Sequence, residues 1–95
     1  MPIDVVDNAA DSRFEIIVDG RVAGFADYRL LPTKIVFTHT EVLPAYEGQG
    51  LAGKLVGHAL QASADTGLRV VPVCPYVAKY IERHPEFQEL VDAQE

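Results

Sequence analysis

The hydrophobic period of the chain changes at residues 47–52, and this change constrains the fold most. Before it, apolar and polar residues alternate, which is typical of strands with one buried face. After it, Leu51, Leu55 and Val56 begin a series of apolar residues at helical spacing. Strands that lead into a helix through a glycine turn predict an α+β domain.

Three segments ahead of this turn predict an antiparallel meander. Asp19-Gly20 is a two-residue hairpin signal, in which glycine supplies a positive φ. Residues 4–11 leave room for a very short edge strand before a polar loop. The predicted strands are Arg13–Val18, Arg21–Leu30 and Lys34–Val42.

The second half predicts a helix over about 50–65, a buried strand over 68–73, and helices over 76–84 and 86–93. Gly67 suits the position after a helix end, and Pro72 indicates a bulge or a splayed strand end. The strand at 68–73 is nearly all apolar, as expected for a parallel strand. The predicted sheet is therefore mixed, with a three-stranded antiparallel meander and one parallel strand.

Length and composition exclude several classes of protein. The 95 residues suit one domain over 1–95, and the net charge of −6 argues against nucleic acid as a partner. No apolar run approaches the roughly 20 residues of a membrane helix, and the N-terminus does not resemble a signal peptide. The lone cysteine excludes an internal disulfide and fits a cytoplasmic location. Three scattered histidines and one cysteine predict no metal site, and no pattern indicates an oligomeric state.

The turn Gly48-Gln49-Gly50 has two interpretations. Glycines at a helix entrance let backbone N–H groups approach an anion, and the helix dipole adds positive charge there. That arrangement is a pyrophosphate cradle. Glycines at this position are equally often only a turn, so the motif alone does not decide between the two.

The surrounding residues resemble the general N-acetyltransferase (GNAT) superfamily, whose cofactor motif is Gln/Arg-x-x-Gly-x-Gly/Ala. Gly50 and Ala52 match this motif, while Glu47 stands where the family has Gln or Arg. Further segments look like the compact YjdJ-like subfamily, a GNAT domain reduced to its cofactor-binding core. They are residues 42–44, 70–77 and 80–86.

The resemblance implies that acetyl-CoA lies between two splayed parallel strands, Lys34–Val42 and 68–73. The acidic residue at 47 argues against a side-chain contact with phosphate from that position, but it leaves the backbone contacts of the glycine turn intact. The implied cofactor-binding residues are Val42, Leu43, Glu47, Gly48, Gln49, Gly50, Leu51, Ala52, Gly53, Lys54, Pro75, Lys79, Tyr80 and Arg83.

Three residues are candidates for catalysis. Cys74 is either a small buried hydrophobe or a thiol near the acyl thioester, activated by the helix that Pro75 begins. His39 is either a half-buried polar residue or a base that, by the resemblance, faces Cys74, with Glu41 orienting its ring. Tyr80 falls where many members of the family carry the acid that protonates the leaving thiolate. Packing is its other interpretation.

Tyr76, one turn before Tyr80, competes for the role of acid, whereas His58 and His84 are expected to be structural. The predicted function is transfer of an acetyl group from acetyl-CoA to an amine or thiol, with Cys74 as the candidate acyl carrier. The acceptor is expected to be a cationic amine or a protein. A module that binds or senses acyl-CoA without turnover is the alternative, because only about a dozen residues precede Phe14. A purely structural interaction domain is a weaker third possibility.

Overall fold

The computed structural model describes residues 2–92, which form one five-stranded sheet covered by two α-helices. Strand order follows the sequence; the first four strands are antiparallel and the last pairs in parallel. This confirms the predicted mixed sheet, and no helix in this part of the chain is long and apolar enough to cross a membrane. The strands are β1 (Ile3–Asn8), β2 (Arg13–Val18), β3 (Arg21–Leu30), β4 (Lys34–Val42) and β5 (Arg69–Pro72); the helices are α1 (Leu51–Asp65) and α2 (Pro75–Arg83).

The N-terminal strand β1 is longer and better paired than the sequence indicated. It pairs with the whole of β2, from Ile3 opposite Val18 to Asn8 opposite Arg13, so the antiparallel meander has four strands. Ile3 and Val5 pack on the core from this strand. Only residues 9–11 remain of the predicted polar loop, as a short 3₁₀ turn.

Helix α1 carries the core-facing residues of the second half. Leu55, Val56 and Leu60 are almost fully buried against the sheet. Gly67 follows the end of the helix, as predicted: it has a φ of +76°, and the N–H of Leu68 donates back to Ser63 O at 3.0 Å. Because α1 joins β4 to β5, its first turn lies near the end of β4.

The C-terminal segment differs from the helix predicted over 86–93. Pro85–Leu90 is a 3₁₀ helix, Val91 forms a parallel bridge with Val70, and Ala93 lies outside the described residues. The physical reason is the free edge of β5, whose backbone groups need partners. The N–H of Asp92 donates to Val70 O at 2.9 Å, and Lys34 forms an ion pair with Asp92 at 2.8 Å.

Strands β4 and β5 separate halfway along β4. Their pairing stops at Phe37 opposite Pro72, which has no N–H to continue it, whereas β4 runs on to Val42. A bulge at Thr38 interrupts the pairing with β3 at the same level. The splayed end expected at Pro72 is therefore present, and it leaves an opening beside the first turn of α1.

Candidate functional site

The glycine turn before α1 has the conformation of an anion cradle. Gly48 and Gly50 have φ values of +84° and +74°, and Gly50 is the N-cap of α1 without any side-chain cap. The N–H groups of the first helical turn have no acceptor within the helix. A Cβ added at either glycine would meet nothing within 4 Å, so the turn borders open space. The sequence thus places free donors and the positive helix end at an accessible surface.

Two cavities adjoin this turn. The first, about 210 Å³, extends from the end of β4 and holds seven of the predicted residues together with Tyr46 and Tyr76. Of the remaining predicted residues on this side, Leu43 donates its N–H to Ala23 O at 2.8 Å and Gln49 is exposed in the turn. The predicted residues that line the cavity are Val42, Glu47, Gly48, Gly50, Leu51, Ala52 and Gly53.

The second cavity, about 430 Å³, lies between α1 and α2 and shares Gly50, Gly53 and Tyr76 with the first. We call the two together the joined cavities. Three cationic side chains line the second one, and none of them takes part in an ion pair within residues 2–92. In a chain of net charge −6, this clustering makes the cavity suited to a polyanion. The three cations are Lys54, Lys79 and Arg83.

Tyr80 packs inside the second cavity. Its ring stacks on His84 at 3.8 Å between centroids, and its hydroxyl lies over Gly57, where a Cβ would come within 2.6 Å. Burial raises the pKa of Tyr80, with Glu86 as a further cause. Tyr80 does not line the cavity that reaches Val42, whereas Tyr76 lines both. Tyr76 is therefore the better placed of the two to reach the opening between β4 and β5.

Cys74 lies between the opening and α2. It is the N-cap of α2 with Pro75 at the first helical position, and its side chain is 3% exposed. The N–H of Cys74 donates to Phe37 O at 2.8 Å, just where the strands part. Its thiol donates to the hydroxyl of Thr40 at 3.5 Å. Cys74 thus follows β5 and precedes α2 in the chain, as predicted, and in the fold it lies beside β4.

His39 is not the residue that β4 presents to Cys74. The bulge at Thr38 shifts the alternation of the strand by one residue, so Thr40 contacts the thiol instead. The His39 side chain is 57% exposed, pairs with Glu41 at 3.1 Å and lies 6.1 Å from the Phe25 ring. The predicted His39–Glu41 pair is therefore present, but the predicted approach of His39 to Cys74 is not.

Sequence reasoning missed three residues of this region. Thr40 became important only through the bulge, which no residue pattern signals. Tyr46 lines the first cavity, and its position just ahead of the glycine turn was the available signal. His84, interpreted as structural, lines the second cavity, and its spacing of four from Tyr80 on the helix could have indicated a shared face. Within residues 2–92, no three His, Cys, Asp or Glu side chains gather as a metal site.

Residues 13–90 match the family model described as GCN5-related N-acetyl-transferase. The chain belongs to this family. The resemblance seen in the glycine turn and the segments around it is confirmed at that level, and the match spans four strands of the sheet's five in full, together with both α-helices.

Two relatives found by sequence agree with this membership. The chain is 35% identical over 68 residues to Protein NATD1 of Gallus gallus, and 36% identical over 59 residues to Protein NATD1 of Homo sapiens. These stretches are 70% and 61% of this chain, and they span 62% and 52% of those relatives' lengths.

Two solved structures share the fold. A GCN5-like protein of Staphylococcus aureus, determined by NMR, superimposes with a TM-score of 0.71 at 19% identity, covering 97% of this chain and 90% of that one. The ribosomal-protein-alanine N-acetyltransferase of Brucella melitensis biovar Abortus 2308 superimposes with a TM-score of 0.60 at 19% identity. The superposition covers 87% of this chain and 62% of that one.

Proposed function

We propose that this GCN5-related family member binds acetyl-CoA in the joined cavities and transfers the acetyl group to an amine or thiol acceptor. The observation that carries the proposal is the continuity between the uncapped glycine turn and a cavity with three unpaired cations. Coenzyme A is a polyanion, and helix N-termini and Lys/Arg side chains are what bind its phosphates in proteins. Conformation at the turn and charge in the cavity thus favour the same ligand.

The residues fit the parts of this cofactor in order along the site. Backbone N–H groups of 48–53 hold the pyrophosphate, and Lys54, Lys79 and Arg83 neutralise the phosphates. The apolar arm extends past Val42 into the opening between β4 and β5. Glu47 contributes its backbone only, because a carboxylate beside a phosphate is repulsive. Pro75 and Leu43 border the opening from α2 and β4.

Acetyl-CoA supplies an activated thioester, and the chain supplies the groups around it. Cys74 lies under Thr40 at the level where the strands part, so its thiol either orients the acetyl group or accepts it. Tyr76 lines both cavities and acts as the acid for the leaving thiolate in place of Tyr80. His39, oriented by Glu41, serves as a base for an acceptor that approaches from the exposed side of β4.

A module that binds acyl-CoA without turnover is the second candidate. One observation favours it: His39 and Cys74 do not form the base–nucleophile pair that activates a thiol for acyl transfer. The compact YjdJ-like subfamily remains the finer assignment that we propose, on the strength of residues 70–77 and 80–86.

Intact-mass spectrometry after incubation with acetyl-CoA separates the two candidates. An acyl-accepting Cys74 gains about 42 Da, one acetyl group, and the gain disappears in Cys74→Ala. Urea-unfolded protein is the control for spontaneous acetylation. A folded protein that reacts no faster than the unfolded chain removes Cys74 as an acyl carrier and leaves direct transfer or passive binding.

A further inference from the structure

A third cavity, which we call the far cavity, lies at the end of the sheet opposite to the glycine turn. It has a volume of about 170 Å³, opens to the surface, and is lined by residues of β1–β4, the last turns of α1 and the loop before β5. It shares no lining residue with the joined cavities. On α1, the nearest lining residues of the two sites are Lys54 and Ala62, which are eight residues or about 12 Å apart along the helix.

The polar groups of the far cavity are all acceptors. The Tyr28 hydroxyl donates to Asp7 at 2.6 Å, Ser63 donates to Ala59 O at 2.8 Å, and Thr66 donates to Ala62 O at 2.8 Å. Each hydroxyl proton is therefore committed within the protein. What a ligand meets is the Asp7 carboxylate and the lone pairs of these oxygens. The negative end of the α1 dipole lies on the same side.

The charge of the far cavity has one sign. Asp7 is exposed at its edge, and no lysine, arginine or histidine is among the described residues that line it. This is the reverse of the second cavity, which three cations line. An anion is excluded from the far cavity by the same reasoning that favours one in the joined cavities.

The remaining surface of the far cavity is apolar and aromatic. The rings of Phe14 and Tyr28 lie 5.5 Å apart, and Ile35 and Leu68 complete the lining beside them. Leu30, 62% exposed, forms an apolar lip. Walls of this kind bury an apolar body, and a volume near 150 Å³ holds a single six-membered ring.

We infer that the far cavity is a second ligand site, for a small organic cation that carries an ammonium group on an apolar body of about one ring. Its apolar body lies against Phe14 and Tyr28, and its ammonium group faces Asp7. This site is independent of acetyl-CoA binding and of the proposed acetyl transfer, because it shares no residue with them.

The test is an amide chemical-shift titration of the ¹⁵N-labelled full chain with benzylammonium, beside its neutral analogue benzyl alcohol. We expect saturable shifts at Phe14, Tyr28, Ser63 and Thr66 with a Kd of about 1 mM, the strength typical of a ligand of this size. The neutral alcohol is expected to bind at least ~5-fold more weakly, since it lacks the charge.

Two variants and a matched control complete the test. Asp7→Asn keeps an acceptor for Tyr28 but removes the charge. It is expected to weaken the binding of benzylammonium about 5-fold. Ala62→Leu fills the cavity and is expected to abolish binding. Asp4→Asn removes a carboxylate from the same strand outside the cavity and is expected to change nothing. Equal binding of amine and alcohol, equal effects of Asp7→Asn and Asp4→Asn, or shifts that do not saturate would each overturn the inference.

Discussion

The thiol of Cys74 donates to the hydroxyl of Thr40 at 3.5 Å, and this contact joins the start of α2 to the half of β4 that has left β5. It fixes the inner side of the opening. It also shows which β4 residues face inward after the bulge, and His39 is not among them.

Replacing His39 by Ala is expected to change the rate of Cys74 acetylation by less than about 3-fold. General-base catalysis contributes typically 10²–10⁴-fold, but only when the base reaches the proton it removes. The His39 ring is paired with Glu41 on the exposed side of the strand. Time-resolved intact-mass measurements on both proteins give the comparison, and a slowing of about 10²-fold or more would place His39 in contact with the thiol.

Thr40→Val is the complementary variant. It keeps the shape of the side chain and removes the hydroxyl that accepts from the thiol. We expect the alkylation rate of Cys74 by iodoacetamide in the folded protein to change several-fold, while Thr33→Val, exposed in the turn before β4, leaves it as it is. Rates that respond equally to both substitutions would argue against a specific Cys74–Thr40 contact.

The glycines of α1 provide a matched pair for the packing of Tyr80. A Cβ at Gly53 would make ordinary contacts at 3.8 Å, whereas one at Gly57 would lie 2.6 Å from the Tyr80 hydroxyl. Gly53→Ala should therefore raise the free energy of unfolding by about 0.5–1 kcal/mol through helix propensity. Gly57→Ala should gain less, because Tyr80 must move away from α1. Urea denaturation compares the two, and equal gains would contradict the position assigned to Tyr80.

Tyr28 makes the stability of the protein depend on pH in the alkaline range. Burial, with the bond to Asp7 as the next cause, raises its pKa from 10.0 to about 12. The stabilisation is fully present below the unfolded-state pKa of 10.0 and is lost as pH rises toward about 12, because the unfolded chain ionises first. Denaturation between pH 8 and pH 11.5, in steps of about half a unit, should show a smaller decline for Tyr28→Phe. Tyr46→Phe, which leaves the bond to Asp7 intact, should retain the decline of the natural protein. If the free energy of unfolding falls equally steeply with pH in the natural protein and in both variants, the role assigned to Tyr28 is contradicted.

Much of the fold could be predicted because local patterns decided it. The alternation of apolar and polar residues predicted the strands Arg13–Val18, Arg21–Leu30 and Lys34–Val42, and Gly67 indicated where α1 ends. The 3₁₀ segment Pro85–Leu90 and the bridge at Val91 could not be predicted, because they depend on the free edge of β5.

The candidate site, too, could be predicted only in part. Glycines and cations are recognisable in a sequence, and the structure places them around the joined cavities. The bulge at Thr38 arises from pairing between β3 and β4, so the direction of His39 was beyond a single-strand pattern. A shift of one residue was enough to exchange His39 for Thr40 beside the thiol.

Removal of one positive charge from the second cavity should measurably weaken the binding of CoA. Lys79→Gln and Arg83→Gln are each expected to lower the affinity about 3- to 10-fold at low salt, with a smaller effect at high salt because exposed charges are screened. Arg29→Gln, on β3 and outside the joined cavities, serves as the control for net charge. If all three variants lose affinity equally, the effect comes from the overall charge and not from the cavity.

Calorimetric titration of CoA into Gly50→Val and Gly20→Val tests the central claim most directly. Both glycines have a positive φ, +74° and +81°, and in both cases a Cβ would meet nothing within 4 Å, so the two substitutions impose similar backbone strain. Only Gly50 lies at the N-terminus of α1. With both variants shown to be folded by their amide spectra, we predict that Gly50→Val binds CoA at least ~30-fold more weakly than the natural protein and that Gly20→Val stays within about 2-fold. A folded Gly50→Val protein with the affinity of the natural chain would contradict the cofactor site.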